Sequence, residues 1–234
     1  MDEHIRRLWR HRGTTLPTPR RGPRQQLDLD EILNAAIALA DASGLEAVST
    51  RAVAARFDKT AMALYAYVGT KENLLTLMQD QASALTDFPP GEGLEESLRA
   101  WATALFEVHL AHPWLTERPW SQASQGPNEQ DWLESLLGIL ARFSVSAAAQ
   151  APAVTMLYAT VRATAQTAAA YRRLSPEDTA AWLERATAVP DFAARYPLST
   201  GLTPVTSHWG DAPYAGLVSA VGLLAAGLAG QANQ

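Results

Sequence analysis

The chain has 234 residues, 47% of them hydrophobic and 18% charged, with a formal net charge of -5. That balance supplies a sizeable core and excludes an intrinsically disordered chain. There is no cysteine, which excludes disulfides and thiolate metal sites.

Charge is spread unevenly. Residues 1–26 carry seven arginines against Asp2 and Glu3, whereas residues 81–234 carry 14 acidic and 8 basic side chains. A basic front and an acidic back suit a nucleic-acid end and a separate partner end, and they suit a solvated surface equally. Residues 1–26 contain three prolines and no apolar run of the kind a signal peptide needs. They read as a mobile basic arm with a short helix around Ile5–His11, and the whole chain reads as a soluble cytoplasmic protein.

The first sustained helix begins at Asp28, with Glu31 three residues on in capping-box spacing. Ile32, Leu33, Ala36, Ile37, Leu39 and Ala40 then fall on one stripe, and Gly44 suits the residue after the helix end. Ser49 caps a short helix over Thr50–Arg56, and Thr60 caps another over Ala61–Tyr67. Only Phe57, Asp58 and Lys59 separate them, which is the helix-turn-helix pattern. Gly69 and Thr70 break the chain and restart it at Lys71, in a helix that runs toward Leu85.

The second short helix has the form of a DNA-reading helix. Leu64 and Val68 hold it to its domain, while Ala61, Met62, Ala63 and Ala66 keep its other faces small enough for close approach to bases. Tyr65, Tyr67 and Lys71 are phosphate donors, as are the amides capped by Thr60 and Thr70. Arg51 has the reach to meet a guanine edge.

The segment "LDLDEILNAAIALADASGLEAVSTRAVAARFDKTAMALYAYVGTKENLLTLM", Leu27 to Met78, resembles the DNA-binding domain of the TetR family of bacterial transcription regulators. "RRLWRHR…PRRGPR" resembles the arm of actinobacterial members, and "HPWLTERP", His112 to Pro119, resembles their effector domains. The resemblance implies a homodimer that binds a double-stranded DNA operator and is governed by a small-molecule effector, most simply as a repressor. It places Thr50, Arg51, Ala61, Met62, Ala63, Tyr65, Tyr67 and Lys71 at DNA-facing positions. Asp58 and Lys59 depart from the family, which has glycine and then an apolar residue there. A ligand-binding protein whose DNA-binding half has decayed is therefore the alternative.

"DFPPGEG", Asp87–Gly93, stops any helix and marks a boundary. Helices are predicted beyond it over Leu94–His112, Glu129–Phe143, Ala151–Arg173, from Ser175, and over Tyr214–Gly230, with a long loop across 190–213. The fold class is all-α: an arm (1–26), a helix-turn-helix domain (27–80) and a helical ligand-binding and dimerisation domain (81–234).

Six of the seven tryptophans lie in residues 81–234. Trp101, His109, Trp114, Arg118, Trp132, Tyr158, Arg162 and Gln166 are the candidate ligand contacts, for an effector that is partly apolar or aromatic. Tyr158, Arg162 and Gln166 recur every four residues, and Arg162 either meets an acid of a partner subunit or faces a cavity. His109 and His112 have a metal-ligand spacing but no third ligand nearby, so neither metal nor cofactor is expected. Phosphate-loop, GxSxG, HExxH and cysteine-nucleophile patterns are all missing, so no enzyme activity is expected. Small residues on the Ala151–Arg173 and final helices suit a dimer interface.

Overall fold

The structure is a computed structural model that describes residues 2–13, 27–202, 206 and 209–231. Arginines 20, 21 and 24 of the predicted arm lie outside the described residues. Residues 2–13 differ from the mobile arm expected there. Helix α1 (Glu3–Leu8) buries Leu8. Arg7 Nη2 donates to the Ala66 carbonyl at 3.0 Å, Arg10 forks onto Asp30 and Gln81, and Arg12 meets Asp131. Arg7, Arg10 and Arg12 find acceptors on different elements, which a one-dimensional reading of a basic run does not foresee.

Helix α2 (Leu29–Ser43) buries Ile32, Leu33, Ala36, Ile37 and Ala40, as its stripe predicts. Its cap is simpler than a capping box: Asp28 accepts from the Asp30 amide at 2.7 Å. Gly44 follows at φ +79°, with its amide on the Ala40 carbonyl. Helices α3 (Thr50–Ala55), α4 (Ala61–Val68) and α5 (Lys71–Ala82) each start on a hydroxyl cap, from Ser49, Thr60 and Thr70 respectively. Between α3 and α4, Asp58 sits at φ +54°. Its amide meets the Ala55 carbonyl, and the Lys59 amide meets the Ala54 carbonyl. That pair of bonds is a Schellman motif, so the carbonyls at the end of α3 are satisfied with aspartate where glycine is usual.

Helices α6 (Leu94–Ala111), α8 (Ala147–Arg172) and α12 (Ala212–Gln231) pack on one another, and α7 (Pro127–Arg142) packs on α5, α6 and α8. Helix α8 begins four residues before its predicted start, with Pro152 inside it. Helix α9 (Pro176–Thr187) opens on a full capping box from Ser175 and Asp178. The expected loop contains two single-turn helices, α10 (Phe192–Arg195) and α11 (Pro197–Thr200). No strand occurs among the described residues. The stretch Trp209–Gly230 is long and apolar enough to cross a membrane by length and composition. Its Leu217, Val221, Ala225 and Leu228 are buried, and the helix packs on α6 and α8.

Candidate functional site

Helix α4 presents the face that its sequence predicts. Leu64 and Val68 are fully buried, whereas Met62 is 76% exposed and Tyr65, Arg51, Thr60 and Lys71 also reach solvent. Ala61 and Ala63 are half-exposed. Tyr67 is half-buried against the core, so an edge of its ring remains outside. Thr50 is a correction to the predicted DNA-facing set, because it is buried. Its hydroxyl donates to the Tyr65 oxygen at 3.2 Å and so orients that phenol.

Helices α2 and α5 join this surface to the C-terminal domain through three polar links. On α2, Asp41 accepts from Trp114 Nε1 at 2.7 Å and from His112 Nδ1 at 2.9 Å. On α5, Gln79 accepts from buried Arg118 Nε at 2.7 Å, and Glu72 accepts from Arg118 Nη2 at 2.7 Å. At the residue after Gln79, the Asp80 carboxylate caps α7, accepting from the Asn128 amide at 3.1 Å and from Ser124 Oγ. Burial pushes the Asp80 carboxyl up to about 6, with the Glu129 charge adding, against the opposing pull of the Glu129 and Asn128 amides.

A cavity of about 70 Å³ lies beside this junction. It is lined by Gln79, Ser83, Leu105, His109, Leu115, Pro119, Ala123, Glu129, Trp132, Tyr158 and Arg162. His109 Nδ1 is enclosed and has no hydrogen-bond partner. Burial first, and the Arg162 charge second, lower the His109 imidazole to about 4, so it is neutral at pH 7. Arg162 Nη2 donates to the carbonyls of Thr116, at 2.6 Å, and Arg118. Burial pushes the Tyr158 hydroxyl well above its ordinary range.

Of the eight candidate ligand contacts, His109, Trp132, Tyr158 and Arg162 line this cavity. The other four do not. Trp101 stands behind the wall, its indole N–H on Ser135 Oγ at 3.0 Å and its ring edge-on to Trp132 and Tyr158. Trp114 and Arg118 are spent on the junction. Gln166 is exposed, because a period of four drifts around a 3.6-residue helix. Gln79, Ser83 and Glu129 were not foreseen. The available signal was a glutamine and a serine within the apolar stripe of α5 and its end. The two histidines of the metal-like spacing face different partners: His112 meets Asp41, and His109 faces the cavity.

A helix-turn-helix head on a helical body with a cavity of mixed apolar and polar lining defines the class: a DNA-binding domain joined to a ligand-type domain. The chain belongs to the TetR family of bacterial regulatory proteins. Residues 32–78 match the family's DNA-binding domain, and residues 88–211, more than half of the chain, match the tetracyclin repressor-like C-terminal domain. The HTH-type transcriptional repressor DrrR1 of Streptomyces coeruleorubidus is 38% identical over 125 residues, covering 52% of this chain and 46% of that one. An HTH-type transcriptional regulator of Saccharopolyspora erythraea is 32% identical over 104 residues, covering 44% of each. The chain thus spans a little under half the length of the curated relatives it matches. Among solved structures, apo ActR from Streptomyces coelicolor is similar, with a TM-score of 0.74 and 26% identity over 89% of this chain and all of that one. ActR in complex with actinorhodin matches at a TM-score of 0.72 and 25% identity, over 87% of this chain and 99% of that one.

Proposed function

We propose that this protein is a ligand-responsive, DNA-binding transcription regulator, a cytoplasmic homodimeric repressor released by a small-molecule effector. Helix α4 would lie in the major groove, with Met62 and the alanines against base edges and Arg51 toward a guanine. Tyr65, Tyr67, Lys71 and the capped helix starts would hold phosphates. Trp132, Tyr158, His109 and Arg162 would meet the effector. ActR is solved with actinorhodin, which supports a partly aromatic effector here too.

The observation that carries this reading is Gln79. It lines the cavity and holds Arg118, and Arg118 holds Glu72, the neighbour of Lys71. A ligand that displaces Gln79 therefore acts on α5, the helix that begins at Lys71 and packs on the reading helix α4. The size of the response is set by the ligand's difference in affinity between the DNA-bound and free forms. The Schellman turn at Asp58 supports a working head, which disfavours the decayed alternative.

The test is a gel-shift with the DNA upstream of the protein's own gene at low salt. A shifted complex with two half-sites about one helical turn apart or more is expected. No complex under these conditions would sink the regulator reading.

A further inference from the structure

The cavity has a chemical asymmetry that points to the kind of molecule it takes. Its apolar walls are Trp132, Leu105 and Leu115. Its two charged residues are Glu129 and Arg162, and they differ in how well they are satisfied. Both Glu129 oxygens are occupied, one by Gln79 Nε2 at 2.6 Å and the other by the Gln125 amide at 3.0 Å. Arg162 spends only Nη2, and on two neutral carbonyls. Among the described residues no carboxylate pairs with it. A guanidinium has five donors, so Nε and Nη1 remain for a planar acceptor. On the neighbouring helix, His109 Nδ1 is a second polar atom with nothing to bond. An enclosed polar atom without a partner costs free energy, and a ligand that supplies the partner recovers it.

We infer that the cavity takes an aromatic acid: a flat apolar body against Trp132, an anionic group on Arg162 and, once the cavity widens, a hydroxyl or carbonyl on His109 Nδ1. This rests on the effector reading above and narrows it to one ligand class. At about 70 Å³ the cavity is well below the roughly 300–1,000 Å³ of drug-sized ligand sites, so the ligand must enlarge it. One wall can retreat. Pro119 and Ala123 come from the connection between the Pro113–Thr116 turn and α7, whose only regular structure is the single turn Trp120–Gln122. Retreat of that connection also moves the Arg118 carbonyl off Arg162, which frees more of the guanidinium for the acid.

Isothermal titration calorimetry of the full chain without DNA tests this, using ortho-hydroxynaphthoate, its methyl ester, and naphthylmethylamine. The acid is expected to bind about ten-fold tighter than the ester, the increment of one charge-assisted hydrogen bond pair. Arg162→Met should bring the two within about two-fold, and Arg162→Lys should keep part of the preference. His109→Leu should weaken acid and ester alike, since it removes the partner of the shared hydroxyl. Thermal denaturation without ligand checks that each variant folds. If Arg162→Met unfolds, the wild-type ratio and Arg162→Lys decide the matter. Equal binding of acid and ester by the wild type, tighter binding of the amine, or no binding of any probe at millimolar concentration would each overturn the aromatic-acid assignment. Release of operator DNA is read separately by gel-shift, so an ester that releases DNA as well as the acid would keep the regulator reading and reject only this one.

Discussion

Asp80 and His109 are buried titratable groups whose shifts have opposite consequences for stability. The Asp80 carboxyl moves from 3.8 to about 6 on folding, so the folded state favours its proton. Its stabilising contribution is full below pH 4 and is lost as pH rises through 6. His109 moves from 6.5 to about 4, so the folded state favours the neutral ring. Its contribution is full above 6.5 and is lost as pH falls through 4. The two partly cancel between pH 4 and 6.5. Asp80→Asn should therefore steepen the loss of Tm on acidification relative to wild type, and His109→Gln should flatten or reverse it. Each kcal/mol should appear as about 2–4 °C in scanning calorimetry. Parallel wild-type and variant curves would contradict both assignments. Thr50 supplies a second residue-scale prediction. Thr50→Val leaves the Tyr65 phenol without its donor and should cost about 1 kcal/mol of operator affinity. It should add little on top of Tyr65→Phe, because both changes remove the same hydrogen bond. Competition gel-shifts on the two single variants and the double variant measure this directly.

At the scale of elements, the turn between α3 and α4 and the start of α7 are the constrained places. Asp58 is left-handed at a glycine position, and a β-branched residue there is strained by about 1–2 kcal/mol. Asp58→Val should lower stability by that amount in urea unfolding, whereas Asp58→Gly should change it by less than about 1 kcal/mol. Gly126, which precedes α7, leaves room for the Asp80 carboxylate, and a methyl at that position would overlap it. Gly126→Ala should therefore displace the cap that ties α5 to α7. It should weaken the ligand's effect on DNA binding more than it weakens DNA binding itself, as titration of DNA with and without ligand would show. The helix-turn-helix was legible because its signals are local: the caps Ser49, Thr60 and Thr70, and the buried pair Leu64 and Val68, act within a turn of the chain. The cap at Asp80 was not, since its donors lie about fifty residues away on another helix.

At the scale of the molecule, helices α8 and α12 leave an apolar groove uncovered, with Met156 53% and Leu223 78% exposed. Exposed apolar surface of this kind is expensive in water and marks an association face. Leu223→Glu should convert the dimer proposed above to monomer in sedimentation velocity, and should weaken operator binding by losing the second half-site. An unchanged sedimentation coefficient would place the dimer interface elsewhere. Arg7, Arg10 and Arg12 tie the N-terminal segment to the reading helix, to α2 with α5, and to α7. That segment thus belongs to the body of the protein as far as residue 13, although its charge reads from sequence as a free arm.

The sequence by itself determined the all-helical class, the order of the elements, the head with its reading face and the set of aromatic residues in the body. These follow from caps, periodicity and composition, which act over a few residues. Only the tertiary structure decided what each polar side chain meets. Trp114 and Arg118 were drawn to the junction with α2 and α5, Thr50 to Tyr65, and Gln166 to solvent. His109 Nδ1 was left enclosed without a partner, beside a cavity that Arg162 also lines. A hydrogen bond needs its partner within about 3 Å, and which residues come that close depends on how helices distant in the chain pack together.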